Sequence, residues 1–321
     1  MVFYVYADPE IISIAKEGGQ NTLQILVAIL RDFVDNCFIT EFEDYRVQAA
    51  IERNVNEIPD RYFERKQIKT LLATLQKRNR FIYCFTPDYS GVRSDLNVVL
   101  ENATENLVDL ILIGEINPEI ECPDNSEISD LSNYQNTNFA ENRSRAMRDG
   151  GVFAGGELNE QEFMNSIYQK AFKYAGRLEI YDAIFGRHFA DNFDYTTRQF
   201  LRWLGNIHAT PKNFRIIFHC EKPEGMRDEH IKNRLTRYKQ DFLTNTEVEI
   251  IFYETTDGSQ CLPHDRYFIT DQIAFQIGRG MDFLDRNTHK NRDTSINIKN
   301  PSTVEKALEK YNENRLPPIL I

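Results

Sequence analysis

One stretch of this 321-residue chain combines residue types and spacing suited to phosphoryl chemistry. His264-Asp265-Arg266-Tyr267-Phe268-Ile269-Thr270-Asp271 has the form H-x-R-x4-D, and Gly278 follows after six intervening residues. A histidine can attack phosphorus, a guanidinium can hold two phosphoryl oxygens, and a carboxylate can orient the imidazole. On a strand, residues two apart point to one face, so the spacing predicts that His264 and Arg266 share a pocket, with Asp271 as their carboxylate. Arg279 lies between Gly278 and Gly280, where a tight turn would expose its guanidinium to a phosphate. Asp265 and Asp282 would orient these bases, or be plain surface carboxylates. The competing reading of the stretch is a hairpin with a surface salt bridge.

The pattern resembles the HKD signature of the phospholipase D superfamily, H-x-K-x4-D-x6-G, with Arg266 in place of the lysine. His264-Asp265-Arg266 followed by Ile277-Gly278-Arg279-Gly280-Met281-Asp282-Phe283 is similar to the phospholipase-D-like C-terminal domain of MIT-domain proteins. In that family an HDR triplet precedes an IGRGLD-like run by a short hairpin. Leu178–Asp182 and the helix containing Arg198-Gln199-Phe200-Leu201 fit the same register, and the resemblance spans residues 160–286. It implies a phosphate-ester ligand. The enzymes use two histidines, one as nucleophile and one as acid for the leaving group. With one H-x-R-x4-D here, a second protomer would supply the other His264, as single-motif members dimerise to do. The MIT-type relatives share the lysine-to-arginine change and bind phospholipid head groups without hydrolysis.

Other residues invite the same question. His219 ends a strand and reads as a core histidine, or as an alternative proton donor. Tyr181, Asp182 and Arg187 follow a strand end, a usual place for ligand contacts in an α/β sheet, and Tyr181 and Arg187 join the phosphate-binding set. Lys232, Arg234, Arg237 and Lys239 follow one helix flanked by Asp228, Glu229 and Asp241, which reads as a solvated face rather than a phosphate track. In the first part, Asp8 and Asp109 resemble the carboxylates of PIN-type nucleases, with Glu41, Glu43 and Glu115 to complete a Mg²⁺ site. That metal site is the minor alternative, and no cofactor is expected.

These residues need elements to place them. Val2–Tyr6 and Leu107–Ile113 read as buried strands and Cys37–Thr40 and Phe81–Phe85 as further strands, with helices over Asn21–Asn36 and Arg65–Arg78 among them. Such alternation predicts a mostly parallel sheet with covered faces. Asn117–Gly156 has no sustained apolar period and reads as a linker or long loop. The second part predicts helices over Glu160–Tyr174, Asp191–Leu204 and Asp228–Leu243. Its strands are Arg177–Asp182, Phe214–His219, Val248–Tyr253, Arg266–Thr270 and Ile273–Ile277. The tail from Asn287 is polar, with a weak helix over Val304–Tyr311 and an apolar terminus, Leu316–Ile321, that docks on this chain or on a neighbour. The expected architecture is α/β in two domains: an acidic one over 1–116, a linker over 117–157, a phospholipase-D-like one over 158–286, and a tail over 287–321.

Composition narrows the partners. Hydrophobic residues are 41% and charged residues 27%, too apolar for disorder. The net charge of −11 speaks against coating nucleic acid through overall charge. From Glu160 onward there are 23 basic and 23 acidic residues, which leaves 15 basic and 26 acidic before it. The whole deficit lies in the first part, and the part with the motif is free to gather arginines. Five scattered cysteines without a CxxC fit a reducing cytoplasm, and nothing reads as a signal peptide or membrane span. The expectation is a metal-independent nuclease acting as a homo-oligomer, with nucleic acid favoured over phospholipid. The domain pairing would suit a prokaryotic antiviral defence system. The alternative is a non-catalytic module that binds lipid or nucleic-acid phosphates and scaffolds a complex, its C-terminal tail meeting a protein partner.

Overall fold

The structure is a computed structural model that describes residues 2–149, 151–153, 164–183, 191–207, 214–222, 228–254, 260–278 and 294–321. The chain divides into two compact units, Met1–Arg148 and Asp149–Ile321. Among the described residues no helix is long and apolar enough to cross a membrane.

The first unit is built on a five-stranded sheet in the order β3-β2-β1-β4-β5. Its strands are β1 (Phe3–Ala7), β2 (Cys37–Phe42), β3 (Phe81–Phe85), β4 (Leu110–Leu112) and β5 (Glu127–Ser129). Every pairing is parallel, as the apolar runs predict. Helices α1 (Glu10–Glu17), α2 (Gly19–Asn36), α3 (Arg46–Asn56), α4 (Phe63–Lys77) and α5 (Asp95–Asn102) form the crossovers. The period that predicts a helix from Asn21 starts two residues earlier, at Gly19, whose φ of 75° separates α2 from α1.

The stretch expected to be a linker carries structure. It holds β5, a 3-10 turn at Tyr134–Asn136 and helix α6 (Asn138–Asp149). The helix is polar, so no apolar period announces it; tertiary contacts hold it instead. Phe139 packs edge-on against Phe3, with ring centroids 5.4 Å apart. Arg143 donates to the Asp32 carbonyl and pairs with its carboxylate, to which the Tyr134 hydroxyl also donates (3.2 Å). The Glu127 carboxylate accepts the amides of Asn138 and Phe139 at the start of α6.

The second unit is built on an eight-stranded mixed sheet in the order β13-β9-β8-β7-β10-β11-β12-β6. Strands β7 (Arg177–Tyr181), β8 (Phe214–Glu221) and β9 (Thr246–Tyr253) are parallel. Strands β10 (Arg266–Thr270), β11 (Ala274–Ile277), β12 (Thr294–Lys299) and β6 (Gly151–Phe153) continue antiparallel from β7. Helices α7 (Asp191–Ile207) and α8 (Asp228–Phe242) connect the parallel strands. One face packs a cluster of aromatic rings, in which Tyr168 and Phe172 meet Phe200, Phe268 and Phe275. The other face, with Ile269 and Ala274, is covered by Val304 and Leu308 of α9 (Pro301–Leu308).

The tail is part of this sheet. It supplies β12 and α9, and the apolar terminus docks on the same chain as β13 (Ile319–Leu320), antiparallel to β9. Lys239 Nζ donates to the Ile321 carbonyl (2.6 Å), so one residue of the basic helix α8 anchors the terminus.

Candidate functional site

Arg266 opens β10 beside β7, and strand alternation decides what it meets. The side chain is 12% exposed, and its Nε lies 3.8 Å from Oδ1 of Asp182, itself 4% exposed, just past the end of β7. Its Nη1 donates to the carbonyl of Gly278 (3.0 Å). Gly278 thus serves Arg266 through its backbone. It also lies against β12: its amide donates to the Ser295 carbonyl (3.0 Å), and a Cβ there would stand 3.0 Å from Ser295 Oγ. One hydrogen bond, to the Gly278 carbonyl, orients the guanidinium, while Asp182 stands at ion-pair distance and the buried Nε has no hydrogen-bond partner among the described residues.

Four expectations are revised here. His264 lies in a bend before β10, not on the strand, so strand alternation does not place it; its side chain is 87% exposed, with Nδ1 3.9 Å from Asp265. Asp265 accepts a hydrogen bond from Gln276 Nε2 (2.6 Å) instead of orienting the motif's bases. Asp271 follows the far end of β10, at least the five-residue strand away from His264, or roughly 16 Å. It accepts the amide of Gly176 (3.2 Å) and fastens the β10–β11 turn to the start of β7. Burial pushes its carboxyl pKa up. Tyr181 faces away from Arg266, stacked on His219 at 3.8 Å, because it and Asp182 are neighbours on an extended strand. Arg187, Arg279, Gly280 and Asp282 lie outside the described residues.

We expect Asp271→Ala to lower stability by about 1–2 kcal/mol through the orphaned turn amides. Affinity for a phosphate ester should be unchanged in titration against the parent protein.

His219 is a core histidine. At 3% exposed, its Nε2 lies 3.0 Å from Glu179 Oε2 and its Nδ1 3.0 Å from the Tyr253 hydroxyl. The Tyr181 hydroxyl also donates to Glu179 (3.2 Å), and Arg177 pairs with its other oxygen (3.1 Å). Burial pushes the Glu179 carboxyl up, but the bond to His219 and the charges of His219 and Arg177 outweigh it and leave the pKa low. Burial lowers the His219 pKa against the pull of Glu179. An ionised carboxylate only accepts, so Nε2 carries the proton and Nδ1 accepts from Tyr253. Alternating polar residues in Leu178-Glu179-Ile180-Tyr181 are the signal for this network in the sequence.

In the first unit the two proposed metal carboxylates lie at opposite ends of the sheet. Asp8 follows β1, where it accepts the Glu10 amide (2.8 Å) and where burial raises its pKa. Asp109 precedes β4 and accepts the Tyr4 amide (2.7 Å), four residues or roughly 13 Å from Asp8 along β1. Asp109 lines a cleft of about 280 Å³ with Phe3, Asn125, Glu127 and Asn142. Glu41 is committed to the amides of Phe42 (2.6 Å), Val47 (3.1 Å) and Gln48 (2.6 Å). Glu43 and Glu115 are exposed. These residues do not fit a metal ion, and among the described residues no group of three or more histidines, cysteines or acids is placed to hold one.

On the basic helix, Lys232 and Arg237 are exposed, in keeping with a solvated face. No protein-family model matches the chain, and no curated protein matches it.

Proposed function

We infer that the second unit recognises a phosphate ester where β10 begins, with a phosphodiester of nucleic acid as the favoured ligand. One observation carries this: Arg266, hydrogen-bonded to the Gly278 carbonyl and at ion-pair distance from Asp182, lies two residues from a solvent-exposed histidine. The likeness of His264–Phe283 to the phospholipase D superfamily supports the same reading.

Cleavage needs two copies. One His264 nitrogen attacks phosphorus and the P–O bond to the leaving oxygen breaks, while a protonated His264 of the second copy gives that oxygen its proton. Water then attacks the phosphohistidine, the P–N bond breaks, and the second histidine takes the proton from water. A second reading, recognition without cleavage, is favoured by the His264 ring itself. Among the described residues its carboxylate neighbour is Asp265 at 3.9 Å, beyond hydrogen-bond distance.

The test incubates purified protein with labelled DNA, RNA and phospholipid vesicles in the presence of EDTA. Cleavage that survives EDTA and disappears in His264→Ala establishes the two-histidine route. Cleavage unchanged in that variant excludes it. Arg266→Ala should weaken phosphate-ester binding about 10- to 100-fold, as expected for a charge-assisted contact. Equal affinity in parent and variant overturns the site.

A further inference from the structure

The Glu179–His219–Tyr253 network lies under the last twenty residues of the chain, on the sheet face opposite Arg266. Tyr253 forms a backbone bridge with Arg315, and Tyr311 packs on the same cluster. The Leu316 amide donates to the Phe252 carbonyl (2.9 Å), and the Ile321 amide to the Val248 carbonyl (3.0 Å). The terminal segment therefore closes along β9, the strand next to the one that carries His219, and meets the network at Tyr253.

We propose that the segment from α9 to β13 is latched to the sheet by the neutral form of His219 and is released when that histidine takes up a proton. The neutral ring satisfies both neighbours, giving Nε2–H to Glu179 and accepting the Tyr253 proton at Nδ1. Protonation makes Nδ1 a donor too, so the Tyr253 hydroxyl must turn its own hydrogen away within a buried site.

The surrounding charges make the added proton costly. From β7, Glu179 is already matched by Arg177, whose other nitrogen holds Glu305 of α9 (2.7 Å). From β9, Glu249 is matched by Arg215 of β8 (2.7 Å). Tyr181 and Tyr253 add only neutral hydroxyls, and the Cys261 thiol donates to the Tyr253 carbonyl. Among the described residues no carboxylate lies within ion-pair distance of Arg315, which acts on His219 as a like charge. Burial and Arg315 oppose ionisation of the ring, Glu179 and, less, Glu249 favour it, and burial wins. Moving the segment away removes Arg315 and admits water, so the open form takes the proton more readily.

Amide hydrogen exchange on the intact chain tests this, read as protection factors between pH 7.5 and 5. Protection at Leu316 and Ile321 should fall by up to tenfold per pH unit below about 6.5, the ordinary histidine pKa. Protection at Ile216 and Phe218 in β8 should hold, which separates local release from unfolding. Both His219→Gln and Arg315→Gln should flatten the fall; the second variant lies outside the buried network and keeps the test alive if the first does not fold. Constant protection in the parent protein, or an equal fall in Arg315→Gln, overturns the latch.

Discussion

Glu179→Ala should destabilise the second unit by roughly 2–4 kcal/mol, the cost of leaving its buried donors without their acceptor. The carboxylate accepts from His219 and Tyr181 and pairs with Arg177, so alanine strands three donors at once. Glu179→Gln keeps an acceptor of the same size and should cost about 1–2 kcal/mol. Trp203, the chain's single tryptophan, packs against Phe172 in this unit, so urea titration followed by its fluorescence reads the effect locally. The pH dependence follows from two lowered pKa values. His219 refuses a proton that the unfolded chain accepts below about pH 6.5, so stability falls as pH drops through that value toward the folded pKa. Glu179 keeps its charge where the unfolded chain loses it, so a second fall begins near pH 4.3 and continues toward its lower folded pKa. The alanine variant should lose the second fall. A stability difference under 1 kcal/mol on the urea curve would sink this account of a shared buried acceptor.

Glu41→Ala should be comparably damaging to the first unit, at about 2–4 kcal/mol, because three backbone amides lose their acceptor. Two of them, at Val47 and Gln48, begin α3, where a carboxylate also meets the positive end of the helix. The chain enters that helix through Tyr45 at φ 63°, a left-handed conformation that a bulky residue adopts at a cost. Glu41 is the neighbour that holds this turn in place. Glu41→Gln leaves an oxygen for Phe42 and Val47 but faces Gln48 with a donor, and should lose about half as much. Thermal melts by far-UV circular dichroism, with amide exchange at positions 42, 47 and 48, measure both variants. Full protection at all three amides in the alanine variant would show that water replaces the carboxylate without loss.

Much of the fold was legible in the residues. Continuous apolar runs such as Phe3–Ala7 read as strands covered on both faces, and this one is central in the parallel sheet, whereas at the edge strand β3 Tyr83 is exposed. The helices α2 and α4 show their period because one side is buried and the other solvated. Helix α6 was illegible, since its place rests on Arg143–Asp32 and Phe139–Phe3, contacts more than a hundred residues apart. The tail misled for a similar reason: β12 gains its partners from β11 and β6, not from any pattern of its own.

The sequence by itself determined that His264 and Arg266 stand two residues apart, that Gly278 follows at a fixed distance, and that the acidic excess lies before Glu160. These are properties of order along the chain and need no folding. Only the tertiary structure decided which carboxylate serves Arg266. Asp271 is nearer in the motif but lies beyond the other end of β10, while Asp182 arrives from a neighbouring strand. The same alternation of side chains sent Tyr181 to the opposite face with His219, because extended backbone divides adjacent residues between two faces and pairing alone chooses which.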